Sequence, residues 1–338
     1  MKISQITFTR FIAAIAIVIS HFSKDLFLYK IRYISDIFLR ANVGVSYFFI
    51  LSGFIMIVAY HKKDRIVYWE YYRNRFARIY PLYVVGLLLL LFTRYSDFSF
   101  YKILLYLSGL QSWIPGDALI LNFPGWSISV EFLFYMLFPL LYNYFYSKGN
   151  KSIWIGIILL WLITQVFSNL YVNSVFYQGP HTISHEFISY FPLLHLNEFL
   201  AGNLAGLVFV KNYKKMKLDW WIILIFAAIL FSLISIPLNF HNGLMGVLFI
   251  PLIYLISCNT GWMTRIFSLK PMEYLGEISY AIYILHIPVL YLVRKILWEI
   301  MGFLKTDIIF LIYLIILIII SAVFYQFIEK PMRNYLKK

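Results

Sequence analysis

Charge is what this 338-residue chain has least of: 13% of its residues are Asp, Glu, Lys or Arg, 62% are hydrophobic, and its mean hydropathy is +0.78. A soluble domain of this length cannot cover its surface with so few charges, so a water-soluble fold is excluded and an integral membrane protein is expected. There is one cysteine, Cys258, which excludes an intrachain disulfide; its apolar neighbours disfavour the thiolate that a nucleophile needs. No Gly-rich phosphate loop, dinucleotide fingerprint or Gly-x-Ser-x-Gly elbow occurs, so the templates of soluble enzymes do not apply. Internal repeats and Pro/Gly/Ser linkers are also missing, and residues 1–338 read as a single membrane domain with no appended soluble domain. Lys and Arg number 29 against 15 acids, a net charge of +14. In so apolar a chain that excess points to cytoplasmic loops facing membrane lipids, not to nucleic acid.

What is present is a succession of apolar segments long enough to cross about 30 Å of hydrocarbon. They lie near 6–23, 42–60, 79–93, 127–146, 152–171, 188–210, 219–237, 242–258, 275–296 and 307–328. The expected fold is therefore all-α, with about ten transmembrane helices. Placing the N-terminus in the cytoplasm puts nineteen Lys and Arg on that side and nine outside, so both termini are expected to be cytoplasmic. The run Phe11–Ser20 behind Lys2 reads as an uncleaved first span, because many further spans follow it. The aromatic stretch Phe98–Trp113, with Lys102, is short for a span and reads as an interfacial or re-entrant piece.

A charged group inside a membrane helix needs a partner or a cavity, so the ionisable residues within the spans are the functional candidates. Arg10 and His21 are eleven residues apart, three turns plus about 20°, and project from one helix face about 16 Å apart. Either Arg10 snorkels to headgroups and His21 bonds a neighbouring carbonyl, or His21, with an unperturbed pKa near 6.5, is a base able to take a proton from a hydroxyl. Arg75 and Arg78, i and i+3, point together in the connection 61–78 before Pro81; they suit phosphate groups, and equally suit ordinary positive-inside charge. Glu131 is the sole acid between Trp126 and Lys148 and does not complete a capping box with Ser127 or Ser129. A structural ion pair and a catalytic role remain open for it. Tyr280, Tyr283 and His286 form a polar stripe along one apolar span, as interhelical hydrogen bonds would also require. Trp126, Ser127, Tyr283 and His286 are read as candidate substrate-binding residues. Metal is not expected: His181 and His185 lack the His-Glu-x-x-His order, and His61, His195 and His241 are isolated. Glu329-Lys330-Pro331 reads as structural, with Pro331 stopping the last span.

Taken together, Arg10 with His21, Gly44-Val45-Ser46-Tyr47-Phe48-Phe49-Ile50-Leu51-Ser52-Gly53-Phe54, Arg75-x-x-Arg78 before Pro81, Trp126-Ser127-x-Ser129-x-Glu131 and Leu275–His286 resemble the acyltransferase-3 family in order and spacing. The likeness runs from the first span to Glu329-Lys330-Pro331. It implies a bacterial inner-membrane enzyme that moves an acyl group, commonly acetyl from acetyl-CoA, onto a hydroxyl of a cell-surface carbohydrate such as O-antigen, capsule or exopolysaccharide, free or lipid-linked. By that resemblance His21 is the catalytic base, Arg10 its same-face partner, Arg75 and Arg78 the grip on the acyl donor, and Glu131 an essential polar residue. Where many members carry an acid in the second-span motif, this chain has Ser46. Some members carry an appended extracytoplasmic domain, and this chain is expected to act alone or with a separate partner. The alternative from another class is a transporter or flippase of a glycan precursor, using Arg10, Glu131 and His286 as binding or relay groups.

Overall fold

The computed structural model describes residues 3–93, 99–149, 151–238, 240–297 and 304–336. Lys2, Arg94, Lys337 and Lys338, which entered the charge count, and Phe98 lie outside the described residues. Among the described residues the chain is helical throughout, and Met216 and Asn259 form an isolated bridge. The principal helices are α1 (Ser4–Phe22), α2 (Val43–Tyr60), α3 (Tyr68–Thr93), α4 (Gly125–Leu141), α5 (Ser152–Val172), α6 (Pro192–Asn212), α7 (Asp219–Ser235), α8 (Gly246–Cys258), α9 (Ser279–Ile296) and α10 (Thr306–Phe324). Eight of the ten expected segments lie on helices long and apolar enough to cross a membrane; α7 and α8 are apolar but shorter.

The tightest crossing joins α2 to α6, and glycine makes it. A Cβ on Gly53 would stand 2.0 Å from the Phe199 carbonyl oxygen, and one on Gly202 2.0 Å from that of Ile50. Backbone therefore meets backbone, the arrangement small residues permit between membrane helices, where dispersion contacts replace the hydrophobic drive available in water. Gly202→Val is expected to destabilise the fold by about 3 kcal/mol or more, since neither carbonyl can retreat. Its check is a lowered midpoint in thermal size-exclusion of the detergent-solubilised protein, with Gly156→Val as control, because a Cβ there meets nothing within 4 Å.

Three expectations about element ends are corrected. Residues 68–78 are not a connection: α3 begins at Tyr68 and runs unbroken through Pro81, burying Tyr71 and Ala77. An apolar window misses this part because its inward side chains include guanidiniums. Pro331 does not stop the last span either. The helix passes through a π-turn, Tyr325–Glu329, and continues as Lys330–Leu336. Lys330 N–H still donates to Tyr325 O across the π-turn, and Pro331, which has no N–H to give, follows immediately after it without ending the helix. The span expected at 275–296 is divided at Ile278, with Lys270–Glu277 a separate short helix.

Pro288 lies inside α9 and cannot donate to the carbonyl of Ile284 one turn back. That orphaned oxygen accepts from Asn122 Nδ2 at 2.8 Å, so the helix interruption fastens the segment before α4 to α9. The same segment is strapped on elsewhere. Ser129 Oγ donates to Gly109 O at 2.6 Å, Ser112 Oγ to Trp126 O at 3.0 Å and Gln111 Nε2 to Gly125 O at 2.9 Å. Within the stretch expected to be interfacial or re-entrant, Phe100–Ser108 is a helix, and Tyr106 at its end stacks on Tyr83 of α3 with centroids 4.2 Å apart. Tyr106, Gln111 and Ser112 are all fully enclosed, so this piece packs into the bundle.

Candidate active site

Helices α1, α2, α3, α4 and α9 enclose a cavity of about 90 Å³. Its polar wall comprises Arg10 from α1, Ser52 from α2, Arg75 and Arg78 from α3, Ser127, Glu131 and Tyr135 from α4, and Ser279, Tyr280 and Tyr283 from α9. Three guanidiniums thus face one carboxylate. Among the described residues no ion pair within 4 Å involves Arg10, Arg75 or Arg78. Arg75 instead lies over the rings of Tyr71 and Tyr135, 5.7 and 5.8 Å from their centroids, and its Nε is buried without a hydrogen-bond partner. Tyr135 OH donates to Glu131 Oε2 at 3.2 Å, fixing the carboxylate on α4. A half-buried excess of positive charge around a cavity suits an anion, because partly desolvated cations gain from a negative partner what water no longer fully supplies.

The second half of the site lies at the far end of α1. His21 is in its last turn, about 16 Å along the axis from Arg10 at 1.5 Å per residue. Its Nδ1 lies 2.9 Å from Nε2 of His286 on α9, and the two rings are within 10° of parallel. Phe123 stands edge-on to His21, with centroids 4.8 Å apart. His286 is fully buried, with its Nδ1 2.5 Å from the Tyr283 carbonyl oxygen. Neither histidine lines the arginine cavity. The link is Tyr283, which belongs to the cavity wall, sits one turn before His286 and donates to Ser127 Oγ at 2.9 Å.

The structure therefore brings the sequence candidates into two adjoining groups. Arg10, Arg75, Arg78, Glu131, Ser127 and Tyr283 share the cavity; His21 and His286 form a dyad beside it. Trp126 joins neither. It is buried against Tyr190, Phe49 and His195, so its side chain is a packing element behind the cavity. Ser46, where the resemblance led to the expectation of an acid, is buried on α2 outside the cavity wall.

A family model described as an acyltransferase domain matches residues 3–326. The chain belongs to the acyltransferase-3 family. Among curated relatives, the acyltransferase MdmB of Streptomyces mycarofaciens is 30% identical over 46% of this chain and 43% of its own length. The peptidoglycan O-acetyltransferase OatA of Listeria monocytogenes is 26% identical over 87% of this chain and 52% of its own. The chain thus spans about half the length of these two relatives. No solved structure matches.

Several residues of this acyltransferase-3 chain that bear on the site escape a reading of motifs. Glu329, expected to be structural, is enclosed, lies within electrostatic reach of Arg78 and Arg10, and has one carboxylate oxygen 3.7 Å from Arg333. Its partners come from α1 and α3, far away in sequence; the nearby signal is the i, i+4 spacing of Glu329 and Arg333. Tyr135 is one helical turn beyond Glu131, and its role is visible only when Arg75 lies over its ring. His195, isolated in sequence, is held at both ring nitrogens: Nδ1 by Glu198 Oε2 at 2.8 Å and Nε2 by Ser189 O at 2.9 Å. His185 contacts Tyr177 OH at 3.0 Å, and among the described residues no cluster of His, Cys, Asp and Glu suited to a metal forms.

Proposed function

We propose that this protein is a multi-pass O-acyltransferase of the bacterial inner membrane. It moves an acetyl group from acetyl-CoA to a hydroxyl of a cell-surface carbohydrate, within ten transmembrane helices whose termini both lie in the cytoplasm. The observation that carries the reading is the pairing of a three-guanidinium cavity with a histidine dyad beside it, about 16 Å from Arg10 along α1. An acyl-CoA has an anionic head and a long, thin thioester arm, which is the shape such a two-ended site accommodates. Arg75 and Arg78 hold the phosphates through charge-assisted bonds, with Arg10 adding positive charge deeper in the wall. The acyl carbon is delivered towards His21, whose imidazole takes the proton of the attacking hydroxyl. The Listeria relative is a peptidoglycan O-acetyltransferase, which supports an O-acyl transfer to a glycan. Glu131, anchored by Tyr135, limits the cavity's excess charge, so the donor's anionic head is attracted without being trapped.

The test is transfer of labelled acetyl from acetyl-CoA by purified protein in liposomes, presented with peptidoglycan fragments and with lipid-linked and free surface glycans. The expected result is protein-dependent label in one glycan, released by mild alkali as an ester must be. No labelled glycan from any acceptor would reject this donor and acceptor assignment. Transfer by the purified protein would equally reject a transport-only role.

A further inference from the structure

We infer that His286 is a positioning residue that fixes the tautomer of His21, so that Nε2 of His21 carries the reactive lone pair. The inference rests on the proposed transferase reading and concerns a residue that meets the substrate only through another. Its observation is the chain of contacts Tyr283 O, His286, His21.

A carbonyl oxygen can only accept. The 2.5 Å contact between His286 Nδ1 and Tyr283 O therefore requires a hydrogen on Nδ1. In the neutral ring Nε2 is then an acceptor, and it faces His21 Nδ1 at 2.9 Å. His21 must supply the hydrogen from Nδ1, which leaves its own Nε2 unprotonated. One backbone carbonyl thereby sets the protonation pattern of two rings. The anchor is itself held: Tyr313 OH donates to the His286 carbonyl at 2.9 Å, and Asn122 occupies the Ile284 carbonyl freed by Pro288. These bonds hold the α9 backbone, and the enclosed His286 ring is held at both nitrogens, by Tyr283 O and by His21.

The proton balance follows from this pattern. The acceptor O–H gives its proton to His21 Nε2 as its oxygen bonds the acyl carbon. His21 becomes an imidazolium whose Nδ1–H still donates to His286 Nε2. When the carbon–sulfur bond breaks, the same proton passes to the leaving thiolate, and His21 returns to its starting tautomer. His286 neither gains nor loses a proton; it orients the base and stabilises the imidazolium, the task a carboxylate performs in a Ser-His-Asp triad.

The experiment compares His286→Gln, His286→Leu, His21→Ala and the His21→Ala/His286→Leu double variant, each normalised to folded protein by size-exclusion. Gln can present an amide oxygen to His21 Nδ1 and is expected to keep kcat within about tenfold of wild type; Leu presents no acceptor and is expected to lose about 100-fold or more with the donor KM within about twofold. The double variant is expected to be no worse than His21→Ala alone. Wild-type kcat in His286→Leu, or equal losses in Gln and Leu, overturns the inference while leaving the transferase reading intact; full activity in His21→Ala overturns it as well, by removing His21 as the base, whereas no transfer by the wild type defeats the transferase reading itself. Should the Leu variant not fold, ¹⁵N-histidine NMR of the wild-type protein decides. The His21 signals, identified by their loss in His21→Ala, are expected to show an unprotonated Nε2, and an unprotonated Nδ1 overturns the inference.

Discussion

Replacing His21 with alanine is expected to lower acyl transfer by about 10²- to 10⁴-fold, the range a positioned general base contributes, while the donor still binds. The reason lies in the geometry of α1. His21 is in its last turn, its ring clasped between Phe123 and His286, whereas Arg10 is three turns away and the cavity wall does not include His21. Removing the imidazole deletes the proton acceptor without touching Arg10, Arg75 or Arg78. The signature is a fall in kcat with an unchanged KM for the donor, measured on membranes matched for protein level. A parallel rise in KM would mean that His21 helps to bind the donor instead. Equal transfer by mutant and wild type would make His21 structural and move the search for a base to His286.

The mirror-image result is expected at the other end of the site. Arg78→Met should raise the KM for acetyl-CoA by about 10- to 100-fold, because a hydrogen bond to a charged group is worth about 1.5–3 kcal/mol and each 1.4 kcal/mol is a factor of ten. Its kcat should change little. Arg75→Met should act in the same direction, with some loss of stability added, because its guanidinium also covers the rings of Tyr71 and Tyr135. Lysine at position 78 should recover only part of the affinity, since an ammonium keeps the charge and loses the two-pronged geometry. Donor titrations of the three variants separate these outcomes. An unaltered KM in both Met variants would leave the two arginines as lipid-facing charge and remove the donor grip.

The helical class and most membrane segments were legible from apolar windows, because hydrocarbon imposes one length on every span. What the windows missed was polar. The first eleven residues of α3 looked like a loop because Arg73, Arg75 and Arg78 dominate them, yet two of those side chains line a cavity that only α1, α2, α4 and α9 complete. Arg10 and His21 could be placed on one helix from the sequence alone, since both belong to one unbroken helix. The partner of His21 could not, because 265 residues separate it from His286 and no local period connects α1 to α9. Glu329 escaped for the same reason, whereas His195 and Glu198 are neighbours on α6, i and i+3. Pro288 read as punctuation within an apolar span, and its consequence, a carbonyl recruited by Asn122, needs both chain segments in place.

The glycine crossing of α2 and α6 also bears on how the protein can move. Where backbones touch without side chains between them, sliding meets carbonyl against Cα at once, so these two helices travel as one rigid body. The Phe48, Phe49 and Ser52 wall of the cavity belongs to that body. The dyad and the arginines belong to α1, α3 and α9, where a Cβ on Gly86 of α3 would stand 3.4 Å from the Ile284 carbonyl oxygen of α9, so backbones approach less closely than at the α2–α6 crossing. Substrate entry and product release must therefore be accommodated by α1, α3 and α9 shearing past a fixed α2–α6 keel, a motion of microseconds to milliseconds. Backbone amides of α2 and α6 would then exchange their hydrogens most slowly in the protein, whether the cavity is filled or empty.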